Sequence, residues 1–311
     1  MHYSPQPLHI PDGFLSFLVS MICWVITAIT ISLAVSRSNK SLGERQIPLM
    51  GIMAAFIFAA QMINFPVAGG TSGHLLGGAL AAITLGPWAG MLVMTAVIAV
   101  QALLFQDGGL LVMGANILNM GLITAAIGYG LYRSVPTGNR TLKLTVAGVA
   151  AWLSVMAGAV FTSLQLWLSG TSPLQIVIPA MLGVHALIGL GEALITVAAL
   201  TFILQTRPDL LGSNSESARG SRGWVVAGAL ISLAVVLISP LASANPDGLE
   251  RVAGDLGFLG MGASAPYQLI PDYTLPFLGE TPLSTIFAGM IGVVVVGAII
   301  VLLGQGMKAK S

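Results

Sequence analysis

Two histidines stand in polar, irregular stretches of a chain that is otherwise strongly apolar. His9 falls in Leu8-His9-Ile10-Pro11-Asp12-Gly13, just ahead of a long apolar run, and His74 ends the glycine-rich Gly69-Gly70-Thr71-Ser72-Gly73-His74. Imidazole is the commonest side-chain metal ligand, and an all-nitrogen donor set favours nickel, copper or cobalt in a planar arrangement over magnesium or calcium. A histidine placed second in a chain offers more than its ring. Its ring nitrogen, its own amide nitrogen and the terminal amine can close fused chelate rings around one ion, leaving a corner for a donor such as His74. The bland alternative is that His9 caps the first helix and His74 bonds a loop carbonyl. The sole cysteine, Cys23, lies inside an apolar run, which excludes an intrachain disulfide and a cysteine-based metal cluster.

The elements that must position these histidines are membrane helices. Apolar residues make up 56% of the chain and charged residues 7%, against roughly 25% charged in soluble domains. The mean hydropathy of +0.92 agrees. The 38 glycines and 16 prolines suit close helix packing and broken helices in a bilayer. A net charge of +1, with no basic run, gives no sign of nucleic acid. Nothing before residue 14 is basic, so the start does not read as a secretory signal peptide.

Apolar stretches at 14–35, 47–68, 88–105, 113–132, 143–168, 178–206, 224–243 and 284–305 have about the length a bilayer crossing needs. A shorter one at 74–86 brings the total to nine. The basic residues fix the parity, because cytoplasmic loops carry the excess of lysine and arginine. Arg37, Lys40 and Arg45 follow the first span; Arg133, Arg140 and Lys143 the fifth; Arg207, Arg219 and Arg222 the seventh; Lys308 and Lys310 close the chain. Nine crossings with the N-terminus outside place eleven of the twelve basic residues in the cytoplasm, leaving only Arg251 outside. That topology puts His9, His74, the turn Gln106-Asp107-Gly108-Gly109 and the loop 244–283 on the external face. Residues 208–223 are rich in glycine and serine and read as a linker. They separate residues 1–207 from a hairpin at 224–311, whose loop carries the turn signal Pro246-Asp247-Gly248 and a short helix expected over Leu249–Gly257. No internal repeat is evident.

Leu8-His9-Ile10-Pro11-Asp12-Gly13-Phe14-Leu15 resembles the Met-His-Ile-Pro-Asp-Gly start of the membrane subunits of cobalt/nickel energy-coupling factor transporters, the CbiM/NikM family. Further blocks resemble the family in the same order. They are Gln61-Met62-Ile63-Asn64-Phe65-Pro66, Gly70 to Leu75, Phe105 to Gly109, Gly114 to Gly121 and His185 to Leu194. Pro246 to Phe258 is similar to the Pro-Asp-Gly-Leu-Glu segment of the small CbiN/NikN partner. The resemblance implies an all-α polytopic fold, a seven-helix bundle like other substrate-capturing subunits followed by a fused two-helix hairpin with an external loop. It implies a multi-pass protein of a bacterial or archaeal cell membrane that transports nickel or cobalt(II) as substrate, has no permanent cofactor and is not itself an enzyme. His9, by ring and amide, and His74, by its ring, are the implied ligands, 65 residues apart (74 minus 9).

One departure from the family bears on this set. Met1 to Pro7 precede Leu8, so His9 is not second in the chain as written. Leucine codons can initiate translation, and a start at Leu8 would restore the motif; trimming to the same residue would do so as well, whereas a chelate built on Met1-His2 would require the tail to fold back out of register.

Several other residues could serve the site. Asp12, Gln61, Asn64, Gln106, Asp107, Asn116 and Asn119 could orient ligand imidazoles, as metal histidines usually require, or could simply bridge helices. Asn116 and Asn119 share a helix face. His185 and Glu192, seven apart, share a face of the seventh span, where a carboxylate is expensive unless paired or functional. His185 reads as an interhelical histidine or a transient ligand, and Glu192 as structural or coupling. No Gly-x-x-x-x-Gly-Lys-Ser/Thr loop is present, so the resemblance implies a transmembrane coupling subunit and two ATPase subunits as partners, within membrane lipid. Gly51, Ala55 and Ala59 form a small-residue stripe suited to that coupling subunit or to internal packing. A stand-alone metal permease and a metal-sensing membrane module are the competing readings.

Overall fold

The structure, a computed structural model, describes residues 9–40, 42–43, 46–136, 139–206 and 223–308. The expectations placed on Met1 to Leu8, on Arg45, on 207–222 and on Lys310 lie outside the described residues. The chain is an all-helical polytopic membrane protein, whose one sheet among the described residues is the pair Phe65–Val67 and Thr71–Gly73 (β1 and β2). Seven helical stretches are long and apolar enough to cross a membrane: Phe17–Asn39 (α1), Pro87–Phe105 (α4), Met113–Arg133, Arg140–Leu168 (α7), Leu174–Thr206 (α8), Gly223–Leu241 and Pro282–Met307. Two shorter helices, Gln46–Gln61 (α2) and Gly78–Leu85 (α3), occupy the remaining apolar stretches.

Burial sorts these helices. Every residue of α3 is buried, and most of α4 is, so these two form the middle of the bundle. By contrast α1 buries a stripe (Val19, Ser20, Cys23, Thr27, Ala34 and Ser38) and leaves Phe17, Leu18, Ile22, Ile29 and Leu33 exposed. On a soluble protein such a surface would aggregate; here it is the face that meets lipid. The stretch Met113–Arg133 is helical at both ends (Met113–Asn116, α5; Thr124–Arg133, α6) and π-helical over Ile117–Ile123, a widening that often marks functional sites.

Two boundaries differ from the sequence reading. The span expected over 47–68 stops at Gln61, and residues 65–73 turn back as the β1–β2 hairpin, with Gly69 and Gly70 both at positive φ. The stretch expected over 74–86 is helical only from Gly78. Eight residues rise about 12 Å, well short of a bilayer, so Thr71 to Gly77 descends as non-helical chain. Such backbone is tolerated at membrane depth only where protein satisfies it. Glu192 of α8 does so here, its carboxylate accepting the amides of Leu76 (2.6 Å) and Gly77 (2.9 Å) at the start of α3.

The C-terminal hairpin, Gly223–Ile238 (α9) and Pro282–Lys308 (α11), docks on α2. A side chain at Gly292 would begin 2.0 Å from the Phe58 ring, and one at Gly51 would begin 2.7 Å from Val301 and 3.4 Å from the Gly297 carbonyl. The stripe begun by Gly51 and continued by the buried Ala55 and Ala59 is therefore engaged, at Gly51, by the chain's own last helix. Small residues on both helices permit this close approach. Of the two readings of that stripe, a coupling-subunit contact or internal packing, the internal one describes Gly51.

Candidate metal centre

The segment carrying His9 is held by three anchors. Asp12 accepts the amides of Leu110 (3.0 Å), Leu111 (2.9 Å) and Val112 (3.1 Å), tying the N-terminal segment to the chain just ahead of α5. Asn116 clamps Ile10 from both sides, accepting its amide and donating to its carbonyl, each at 3.0 Å. Gly109 donates its amide to the Ile10 carbonyl at 2.9 Å. The Gly108-Gly109 pair is required for this closeness, since a side chain at Gly108 would begin 2.9 Å from the His9 Cβ and one at Gly109 2.2 Å from the Asp12 amide.

The loop carrying His74 has its own supports. Gln61 of α2 donates to the Leu76 carbonyl at 2.7 Å, beside the two amides held by Glu192. These supports bring the His9 and His74 rings together, with centroids 5.5 Å apart and planes at 70°. Both are buried, at 2% and 7% exposure. Nδ1 of His9 lies 3.1 Å from the Asp107 carbonyl, and Nδ1 of His74 3.0 Å from the Leu75 carbonyl. A carbonyl only accepts, so each Nδ1 carries the ring proton and each Nε2 keeps its lone pair. Nε2 of His9 is buried with no hydrogen-bond partner. Burial pushes the pKa of His9 below the usual imidazole value, opposed by the neighbouring Asp107 carboxylate, so the ring is neutral at neutral pH, as a metal ligand must be.

Beneath the rings lies a cavity of about 60 Å³ whose walls include His9, His74, Asn119, Thr162, His185 and Asp247. Asn119 exchanges hydrogen bonds with Gln165 (2.7 and 2.8 Å) and donates to Thr162 (3.1 Å). His185 is fixed by its own helix, with Nδ1 2.8 Å from the Met181 carbonyl.

The residues expected to orient imidazoles thus divide. Asp107 touches the His9 ring. Asp12 and Asn116 hold the backbone of the His9 segment, and Gln61 that of the His74 loop. Asn119 lines the cavity floor. Gln106 and Asn64 do something else: Oε1 of Gln106 accepts the Leu269 amide at 3.1 Å, and the Asn64 carbonyl accepts the Ser243 amide at 2.7 Å. Both stitch the hairpin loop to the bundle.

That loop brings two residues that sequence reasoning did not place at the site. Asp247, read as part of a turn, caps the short helix Gly248–Leu256 (α10) through a capping box with Glu250, and its Oδ2 lies 4.0 Å from Nε2 of His74. Burial pushes its carboxyl pKa up to about 7. Tyr273 reaches between α2 and α4, stacks on Phe105 with centroids 4.7 Å apart, accepts from Gln101 at 3.2 Å and donates to Oδ2 of Asp107 at 2.7 Å. Tyr273 and Asp272 both sit at positive φ, 56° and 49°, strained for residues with a side chain. The strap also crosses the N-terminal segment, where Ala263 donates to the Asp12 carbonyl at 2.7 Å. Asp107 is therefore held through its carboxylate by the hairpin loop while its backbone carbonyl holds the His9 ring. Among the described residues no three His, Cys, Asp or Glu side chains already converge as a metal cage.

A family model described as the cobalt uptake substrate-specific transmembrane region, CbiM, matches residues 9–210, and a PDGLE domain model matches 222–309. A NikMN-type chain of Archaeoglobus fulgidus is 35% identical over 298 residues, covering 94% of this chain and 96% of that one. The fused nickel transport protein NikMN of Rhodobacter capsulatus is 28% identical over 343 residues, with 97% of each chain covered. The crystal structure of a transition metal transporter, 32% identical, superposes with a TM-score of 0.58 over 68% of this chain and all of its own.

Proposed function

We propose that this chain, which belongs to the CbiM family of cobalt uptake substrate-specific transmembrane regions and carries a PDGLE domain behind it, is the metal-capturing membrane subunit of an ATP-driven uptake transporter for nickel or cobalt(II). The observation that carries the reading is the pair of facing imidazoles, each with Nδ1 committed to a carbonyl and Nε2 left to bind, the Nε2 of His9 buried without a partner. A buried polar atom without a partner is costly, and a divalent ion is the partner that suits two neutral imidazoles.

In this reading residues 1–207 form the capturing bundle, 208–223 a cytoplasmic linker and 224–311 the accessory hairpin. His9 and His74 face outside, where the ion arrives. The C-terminus lies in the cytoplasm, because that orientation puts Arg37, Lys40, Arg133, Arg140 and Lys143 inside. A transmembrane coupling subunit and two ATPase subunits supply the energy. The ion leaves when the bundle is driven to open inward, which breaks the close placement of two segments held by separate anchors.

Radioactive nickel uptake by cells that make this chain with and without its coupling and ATPase subunits tests the reading. Uptake only with all of them is expected. Full uptake by the chain alone would establish a stand-alone permease instead, and binding without uptake under either condition a sensing module.

A further inference from the structure

We infer that Asp247, carried by the fused hairpin, is itself a metal-binding residue, its free carboxylate oxygen facing His74 across the ion. The inference rests on the reading of His9 and His74 as metal ligands, and it makes the C-terminal part of the chain a contributor to the site.

Distance is the first support. First-row divalent ions hold imidazole nitrogen and carboxylate oxygen at about 2.0–2.2 Å, so donors on opposite sides of one ion stand roughly 4 Å apart. Oδ2 of Asp247 and Nε2 of His74 are 4.0 Å apart.

The polarity of the two atoms is the second. Nδ1 of His74 holds the ring proton against the Leu75 carbonyl, so Nε2 presents a lone pair. A carboxylate oxygen presents lone pairs as well. At 4.0 Å the two atoms are too far apart to share a proton in a hydrogen bond, whereas a cation between them satisfies both.

The third is a division of labour within the carboxylate. Oδ1 is committed to the Glu250 amide at 2.7 Å, and Glu250 returns a contact to the Asp247 amide at 3.4 Å. This capping box fixes the side chain, and it leaves Oδ2 for the ion. The spacing is also locked from the backbone. Ser72, two residues before His74, donates its amide to the Pro246 carbonyl and its hydroxyl to the Asn245 carbonyl, both at 2.8 Å. The segment bearing Asp247 and the strand leading to His74 thus move together. Both side chains and His9 line the same cavity of about 60 Å³, twice the roughly 30 Å³ that one water occupies in the liquid.

A donor set of imidazoles with one carboxylate differs from the all-nitrogen square that the family resemblance implies.

The test is a titration of cobalt(II) chloride into the purified full chain, followed by absorbance, for the unaltered protein, Asp247→Asn and Asp247→Cys. Asparagine is as good a helix cap as aspartate, so Asp247→Asn should melt as the unaltered chain does without metal, yet bind cobalt at least about tenfold more weakly. Asp247→Cys should bind cobalt with a new sulfur-to-cobalt charge-transfer band in the near ultraviolet. The unaltered chain, whose sole thiol is the buried Cys23, should lack that band. Cobalt binding by Asp247→Cys without the band, or unweakened binding by Asp247→Asn, would overturn the inference while leaving the two-histidine reading intact. No cobalt bound by the unaltered chain would overturn both.

Discussion

Replacing Asp12 by alanine should weaken metal binding although Asp12 touches neither imidazole. Its carboxylate accepts three backbone amides, at 2.9 to 3.1 Å, from the turn that precedes α5 and lies against the His9 segment. Val112 is fully buried, so its amide would be left without an acceptor at a cost of about 1–3 kcal/mol. The amides of Leu110 and Leu111 stand nearer the surface and regain water. A local destabilisation of about 1–3 kcal/mol falls on the segment that must be ordered for His9 to bind, which converts to a roughly 5- to 150-fold rise in nickel Kd. Asp12→Asn, which keeps one acceptor oxygen, should fall between. Asp255→Ala, removing only the exposed ion pair with Arg251, should change nothing measurable. Isothermal titration of nickel into each detergent-purified variant reads the effect. A nickel Kd for Asp12→Ala within threefold of the unaltered chain's would refute the reasoning that backbone anchoring positions His9.

Three further outcomes follow from the same contacts. Tyr273→Phe removes the hydroxyl that holds Asp107 but keeps the stacked ring; nickel affinity should fall about tenfold with little change in melting temperature, a split that titration and calorimetry together would check. Gly292→Leu would drive a side chain into the fully buried Phe58 ring, at an overpacking cost of about 1–3 kcal/mol; when the two parts are made as separate chains, the hairpin should no longer co-purify with the bundle. Glu192→Gln leaves one acceptor for two amides at the start of α3, so the melting temperature should fall by the equivalent of about 1–3 kcal/mol, and nickel binding with it through the His74 loop.

The membrane spans were legible because hydrocarbon solvation demands long apolar runs whatever the fold. The short helix α10 was legible from its turn residues. The end of α2 was not: Phe65 to Ala68 continues the apolar run, so hydropathy carries no mark where helix gives way to hairpin. The coming together of His9 and His74 could be suspected from their irregular, glycine-flanked settings, and the anchoring by Asp12, Asn116 and Gln61 from their being polar groups beside those settings. Whether such a group meets an imidazole or a backbone amide depends on distances that only the folded chain sets. Asp247 and Tyr273 were illegible for the same reason. They reach the site from a loop far along the chain, and nothing local in Pro246-Asp247-Gly248 distinguishes a helix cap from a carboxylate aimed at a histidine. Gly51 taught the complementary lesson: a small-residue stripe announces a close helix neighbour without saying which, and here it is α11.

The most direct test of the account is a native intact mass of the purified protein with and without added nickel, beside the His9→Ala and His74→Ala variants. One nickel per chain in the unaltered protein and none in either variant is predicted, and the same spectrum reads the first residue, where a start at residue 8 would allow a chelate through the terminal amine only with Nδ1 of His9 released from the Asp107 carbonyl. An unaltered chain that takes no nickel, or variants that bind it equally well, would contradict the claim that these two histidines form the metal site.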